Sequence, residues 1–232
     1  GLRQVGSRAY ATNGLESGWI PNPLPAIYTG DELRPYREWL PATSYEAVGS
    51  LGGSFVSPDI TDYYLTPWDL GYGRLVKFDH DFVGRAALER LANQPHRKKV
   101  TLVWDPDEAV RVIGSLFTKP KGERYKYFDL PLAQYATWMY DAVLDDAGKV
   151  VGFSMWTGFS SNEERVLSLA TVDAAVATVG TRLRIVWGEP NGGSRKPSVE
   201  RHVQTEVAVT VGPAPYAEPA RQYRAAIARR RT

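Results

Sequence analysis

From residue 100 the chain is written mainly in a period of two. Val100, Leu102 and Trp104 alternate with Thr101 and Val103; Leu183, Ile185 and Trp187 face one way while Arg182 and Arg184 face the other; Val203, Val207, Val209 and Val211 keep the same spacing. That is the pattern of strands with one face turned to a core. Asp145-Asp146-Ala147-Gly148 predicts a hairpin turn between Ala142-Val143-Leu144 and Val150-Val151-Gly152-Phe153, because turn residues there separate two apolar runs. A short helix is predicted over 106–112 and a loop at Pro190-Asn191-Gly192-Gly193. Several short strands with turns between them predict a small antiparallel barrel.

The first 94 residues have a different texture. Trp19-Ile20-Pro21-Asn22-Pro23-Leu24-Pro25 resists helix, since each proline lacks a backbone donor and biases its predecessor toward extended geometry. A helical turn is predicted from Asp31 to Leu40, with Pro35 in its first turn and Pro41 ending it. Ser50 to Ser54, SLGGS, predicts a turn or a close backbone approach. Further on, Leu75, Val76 and Phe78 predict a short strand, and Ala86, Ala87, Leu88, Leu91 and Ala92 a helix with Asp81 as its N-cap or first-turn carboxylate. The polar run from Gln94 to Lys99 marks a hinge. The predicted organisation is therefore α+β: a mixed α/β region over 1–96, a barrel over 97–216 and a basic tail over 217–232.

Composition narrows the chemistry. The 232 residues are 43% hydrophobic, with 28 basic against 26 acidic side chains, enough for one large or two small globular domains. A net charge of +2 gives no ground for a nucleic-acid or membrane partner. No apolar run approaches the ~20 residues that span a bilayer, and GLRQVGSRAY lacks the apolar centre of a signal peptide, which points to the cytoplasm. The absence of cysteine removes disulfides, thiol nucleophiles and thiolate metal sites, and the three histidines, His80, His96 and His202, have no zinc-ligand spacing. No metal is expected. A first residue Gly1 in place of methionine suggests a processed, trimmed or partial product.

One stretch carries more than texture. Leu65 to Leu88, LTPWDLGYGRLVKFDHDFVGRAAL, resembles the "TP…GLG…VK.D…DFIGR.AL" run of the glycine-cleavage T-protein superfamily. The likeness continues in Gly148-Lys149-Val150-Val151-Gly152, Trp156 to Ser161, Leu169 to Val172, Gly180 to Leu183 and Pro215-Tyr216, and upstream in Gly6-Ser7-Arg8, Leu15-Glu16-Ser17-Gly18 and Asp59-Ile60. Nearly the whole chain is covered. Residues 10 to 14 carry a short insertion, and the aromatic stretch from 19 to about 54 is longer than a T-protein shows. That longer version is similar to the tetrahydrofolate-dependent aryl O-demethylases, which act on vanillate, syringate and related methoxybenzoates. The resemblance implies a T-protein-like fold, tetrahydrofolate as cofactor, a methoxylated aromatic acid as substrate, and a role in one-carbon metabolism of lignin-derived aromatics. Because enzymes of this superfamily are usually longer, it also implies that the N-terminal half is supplied as a separate chain or a missing segment.

Such chemistry needs a proton donor at the leaving phenolic oxygen, flat walls for two flat rings and a cation for carboxylates. The resemblance places Tyr10, in the segment like the family's folate-site strand, as that acid; Trp19 as a wall of the pterin or ring pocket; and Arg8 as the carboxylate clamp. The plain alternatives are a packing tyrosine, a structural tryptophan and a loop-bracing arginine, while Glu16 braces backbone. Tyr63, Tyr64 and Trp68 read as packing. Asp59, Asp62 and Asp69 cannot be shown to converge, Ser160 to Glu163 is a turn, and the Gly-Gly pairs at 52 and 192 lack the residues of a phosphate loop. The arginines at 221, 224 and 229–231 read as a solvated helix, without the aromatic platform of an RNA binder. An aminomethyltransferase of glycine cleavage and a non-catalytic folate-binding or docking module are the competing functions.

Overall fold

The computed structural model describes residues 2, 4–193, 197 and 199–229, and side chains up to residue 226. Helix α1 spans Ser7–Ser17, α2 Arg34–Trp39 and α3 Tyr45–Val48. As the prolines foretell, Pro35 occupies the first turn of α2, and the helix stops before Pro41. Ser44 caps α3, its hydroxyl accepting the Ala47 amide at 3.3 Å. A two-residue strand, β1 (Leu51–Gly52), follows, and helix α4 spans Arg85–Ala92.

Two expectations for this region are corrected. The strand predicted at Leu75 to Phe78 is a 3-10 turn over Gly73–Leu75 followed by irregular chain. The amides of Leu75 and Val76 bond locally, to the carbonyls of Tyr72 and Gly73 at 2.8 and 3.1 Å, and so are not available to a strand ladder. Asp81 is not the cap of α4: Gly84, at φ 91°, turns the chain into the helix, and Asp81 instead accepts from Arg85 at 3.1 Å.

Strand β2 (Lys98–Trp104) opens the barrel. Helix α5 (Pro106–Thr118) follows and runs a turn and a half beyond its predicted end. Its start is fixed by Asp105, whose carboxylate accepts the amides of Asp107 and Glu108, and by Pro106 in the first turn. It buries Ala109, Val112 and Ser115. Then come β3 (Trp138–Met139), which pairs in parallel with β1, β4 (Asp141–Leu144), β5 (Val150–Ser160), β6 (Arg165–Val172), β7 (Arg182–Trp187) and β8 (Thr205–Gly212). The order β2-β6-β5-β4-β7-β8 closes on itself with every pair antiparallel. Closure removes both sheet edges. The predicted hairpin is present: Asp145 to Gly148 joins β4 to β5.

The inward set is the one the alternation picked out. Val100, Leu102, Trp104, Leu183, Ile185, Trp187, Val207, Val209 and Val211 are all buried in one cluster, and the Trp104 and Trp187 rings meet edge to face at 5.3 Å. Val203 is not part of β8 but bridges to Tyr125. A second cluster joins Leu15, Ile20, Leu24 and Tyr63 to Tyr140, Phe153, Leu167 and Leu169. The early part of the chain thus covers the outer face of β5 and β6. This explains why β6, VLSLATV after its first residue, is buried at every later position: both faces are covered, so its sequence loses alternation.

Helix α6 (Glu218–Arg229) ends the described chain. Arg224 donates to the Ser17 carbonyl at 3.1 Å, and Arg221 donates to the carbonyls of Pro215 and Tyr216. These two basic side chains serve the fold. Arg230 and Arg231, and the side chain of Arg229, lie outside the described residues. Among the described residues no helix is long and apolar enough to cross a membrane.

Candidate active site

The segment bearing the predicted site residues is a helix and not the strand the resemblance implied. Ala9, Ala11, Leu15 and Glu16 are good helix formers, and Thr12 is the only β-branched residue in α1. The helix begins after Gly6, whose carbonyl accepts the Tyr10 amide at 3.0 Å, and ends at Gly18, which takes the left-handed conformation at φ 68°. A Cβ at Gly18 would come within 3.2 Å of Pro215 Cα, so glycine serves both the turn and the approach of the closing loop.

One face of α1 is pinned to the barrel. Leu15 is fully buried in the second cluster, a burial that contributes about 2 kcal/mol. The Trp156 indole donates to the Ala11 carbonyl at 3.1 Å. The Glu16 carboxylate accepts from the Ser160 hydroxyl at 2.6 Å and from Asn162 at 3.1 Å, while its carbonyl accepts the amides of Tyr216 and Ala217, both at 3.0 Å. The expected backbone brace is thus made by the Glu16 carbonyl alone, and its carboxylate braces side chains of the β5–β6 turn.

The other face holds Tyr10, with Trp19 just beyond the end of the helix. Tyr10 is 59% and Trp19 38% exposed, and their rings meet edge to face at 6.0 Å and 74°. The Tyr10 hydroxyl has no hydrogen-bond partner among the described residues, and neither ring belongs to either core cluster. Arg8, three residues before Ala11 and seven before Leu15, lies instead on the pinned side of the helix; it is exposed and lines a cleft of about 330 Å³ with Ser7, Ala11, Asp129, Leu132 and Gln134. Gln134 is shared with a second cleft of about 510 Å³ whose walls include Asn22, Tyr45, Tyr135 and Trp156. The fold thus brings Tyr10 and Trp19 together and leaves Arg8 on another face of α1, while Asp59, Asp62 and Asp69 serve local structure. Asp59 accepts from Thr61 at 2.8 Å, Asp62 accepts from Ser57, and buried Asp69 takes the Thr66 amide and hydroxyl at 2.9 Å with Arg97 3.5 Å away. Tyr63 is core; Trp68 stacks on His96 at 4.5 Å.

A buried polar cluster has no counterpart in the sequence patterns. Lys126 is 1% exposed and its ammonium lies 3.2 Å from Glu189 and against the Tyr135 ring. The Tyr135 hydroxyl donates to Asp141, which also accepts the Ser54 amide at 3.1 Å, and Glu189 accepts the Gly53 amide at 2.7 Å. Burial lifts the Asp141 carboxyl to about 6 against the opposing pull of Lys126, raises the Tyr135 phenol well above its usual value and lowers the Lys126 ammonium. These groups tie the SLGGS segment to the barrel. Gly53 lies so close to the Tyr140 carbonyl that a Cβ would overlap it, the close approach that the two glycines predicted. The four side chains come from four separate segments, and no local motif links them.

No protein-family model matches the chain. A syringate O-demethylase from Sphingobium sp. (strain NBRC 103272 / SYK-6) is 50% identical over 221 residues, which are 95% of this chain and 47% of that protein. A sesamin methylene transferase from Sinomonas sp. (strain No.22) is 32% identical over 229 residues, 93% of this chain and 48% of that protein. Among solved structures, the glycine cleavage system aminomethyltransferase T from Bartonella henselae aligns at a TM-score of 0.40 and 17% identity, over 66% of this chain and 32% of that one. The chain spans about half the length of the curated relatives it matches. Over nearly its whole length the chain is thus similar to about half of a syringate O-demethylase, with half of the aligned residues shared, and to about half of a sesamin methylene transferase, with a third shared.

Proposed function

We propose that this chain is the C-terminal portion of a cytoplasmic enzyme that moves a methyl group from an aryl methyl ether, of the vanillate or syringate class, to tetrahydrofolate. In this reading residues 1–96 contribute to the folate-binding region and 97–216 form the supporting barrel. The observation that carries it is the pairing of Tyr10 with Trp19, two rings left out of the core, one on helix α1 and one just past its end, with the helix itself fastened at Leu15 and Glu16.

Tetrahydrofolate, when bound, supplies the nitrogen that accepts the methyl group. The exposed Trp19 face suits stacking on a flat pterin or benzoate ring, and its edge contact with Tyr10 holds it upright. Tyr10 donates its hydroxyl proton to the aryl oxygen as the carbon–oxygen bond breaks, so that the departing group leaves as a neutral phenol. Arg8 pairs with a carboxylate of the substrate or of the folate glutamate. With α1 fastened to the barrel, these groups are presented from a rigid element, as alignment of donor and leaving oxygen requires.

The test is demethylation of vanillate and syringate by the full-length protein with and without Tyr10→Phe, beside an assay for aminomethyl transfer. Loss of demethylation in the variant with KM little changed supports the acid role. Aminomethyl transfer without demethylation would replace this reading with the glycine-cleavage one. Tight tetrahydrofolate binding and turnover by this chain alone, in calorimetric titration and assay, would end the dependence on a second half.

A further inference from the structure

From residue 70 to residue 99 not one residue is buried. The segment is nevertheless rich in apolar side chains: Leu75 and Val83 are exposed, and Phe82, Leu88 and Leu91 are only half-buried. Helix α4 has its apolar positions on one stripe, Ala87, Leu88, Leu91 and Ala92, which is the arrangement of a helix with a core to face. Its side-chain hydrogen bonds stay local, from Arg85 to the His80 carbonyl, Asp81 and Glu89. The base of the segment is fastened instead, by the Trp68–His96 stack at 4.5 Å and by Lys99 lying 5.3 Å over the Tyr72 ring. Helices α2 and α3 also lack buried residues, but they are tied in: Arg37 donates to three carbonyls of residues 27 to 30, and Tyr45 sets its edge on buried Trp138. Both ends of the arm are fastened, Leu70 packing on the second cluster and Arg97 reaching Tyr64, Asp69 and the Phe153 ring, but between residues 74 and 95, the stretch that carries α4, no side-chain hydrogen bond, ion pair or ring contact leaves the arm among the described residues.

We infer that the 70–99 arm, through the apolar side of α4, is the surface on which the rest of the polypeptide docks, namely the half of a family member that this chain does not span. The inference rests on the reading that a second half completes the enzyme. An eight-residue helix is far below the ~12–15 residues at which isolated helices become even marginal in water, so its order calls for tertiary cover. The matched relatives carry as much sequence again outside the aligned region, and a folded unit of that size supplies the cover. The occupant is therefore a protein domain with an apolar face, continuous in sequence with this chain in the relatives.

Amide hydrogen exchange decides it. Residues 85–92 are followed in this chain alone, and the corresponding segment in full-length Sphingobium syringate O-demethylase. Exchange at least 100-fold slower in the full-length protein is expected. Val83→Asp and Leu91→Asp in this chain are expected to leave its melting temperature unchanged, while the equivalent substitutions lower that of the full-length protein. Equal exchange in the two proteins would overturn the inference, and so would a fall in the melting temperature of the short chain with Leu91→Asp, which would mean that the stripe is covered from within. Protection of α4 that grows with concentration of the short chain would also overturn it, in favour of a second copy. Failure of the parent reading is seen separately: methyl transfer by the short chain alone sinks it whatever the exchange shows.

Discussion

Replacing Asp141 by Asn tests the buried cluster where its energetics are sharpest. Asp141 is 1% exposed, and burial is the first cause that lifts its carboxyl to about 6 from 3.8 in the unfolded chain, with Lys126, Tyr135 and the Ser54 amide pulling the other way. A group held higher in the folded state stabilises most below its unfolded value, and that contribution is lost as pH rises through the folded value. For Asp141 the window is therefore pH 4 to 6, and a rise from 3.8 to about 6 corresponds to about 3 kcal/mol. Asn cannot ionise, yet its side-chain oxygen can still accept the Ser54 amide, and Glu189 remains beside Lys126 at 3.2 Å. The stability of Asp141→Asn relative to the parent is expected to rise by about 2.5 kcal/mol between pH 4 and pH 7. Urea unfolding followed by tryptophan fluorescence at half-unit pH steps measures it. Parallel stability curves for the two proteins would refute the claim that a desolvated carboxylate is carried at neutral pH.

Tyr10→Phe is expected to lower turnover of the full-length enzyme by about a hundred- to ten-thousandfold with KM little changed, and, being half out in solvent, to alter the stability of this chain by less than about 0.5 kcal/mol. Leu15→Ala removes the buried anchor of α1 and should cost about 2–5 kcal/mol in chemical denaturation. It should also loosen the Tyr10–Trp19 pair, seen as a shift in tryptophan emission. Gly53→Ala meets both a φ of 104° and the Tyr140 carbonyl, and is expected to destabilise by about 2 kcal/mol or more in the same measurement.

The barrel was legible because its strands are half-buried and antiparallel, and such strands print their inward face as Val100, Leu102 and Trp104 or Leu183, Ile185 and Trp187. The same rule failed at Leu75, Val76 and Phe78, where Leu75 ends a 3-10 turn, the amides of Leu75 and Val76 bond locally and the chain beyond is irregular. At Gly6 to Tyr10 it was the family likeness that suggested a strand, and the alanines made a helix. Of the candidate site, the resemblance supplied Arg8, Tyr10 and Trp19 as names. Their common place on and beside α1 depends on the αL turn at Gly18 and on the buried Leu15.

Side-chain period and backbone freedom within a few residues were enough to set the mixed-then-barrel order, the hairpin at 145–148, the proline boundaries of α2 and the tight approach at Gly53. It took the folded chain to bring Lys126, Tyr135, Asp141 and Glu189 into one buried cluster, to set Glu16 against Ser160, and to leave α4 with an apolar stripe and no core. The reason is physical. Local pattern reports the faces an element turns toward water or core, whereas the burial of charge depends on which distant segments close over it.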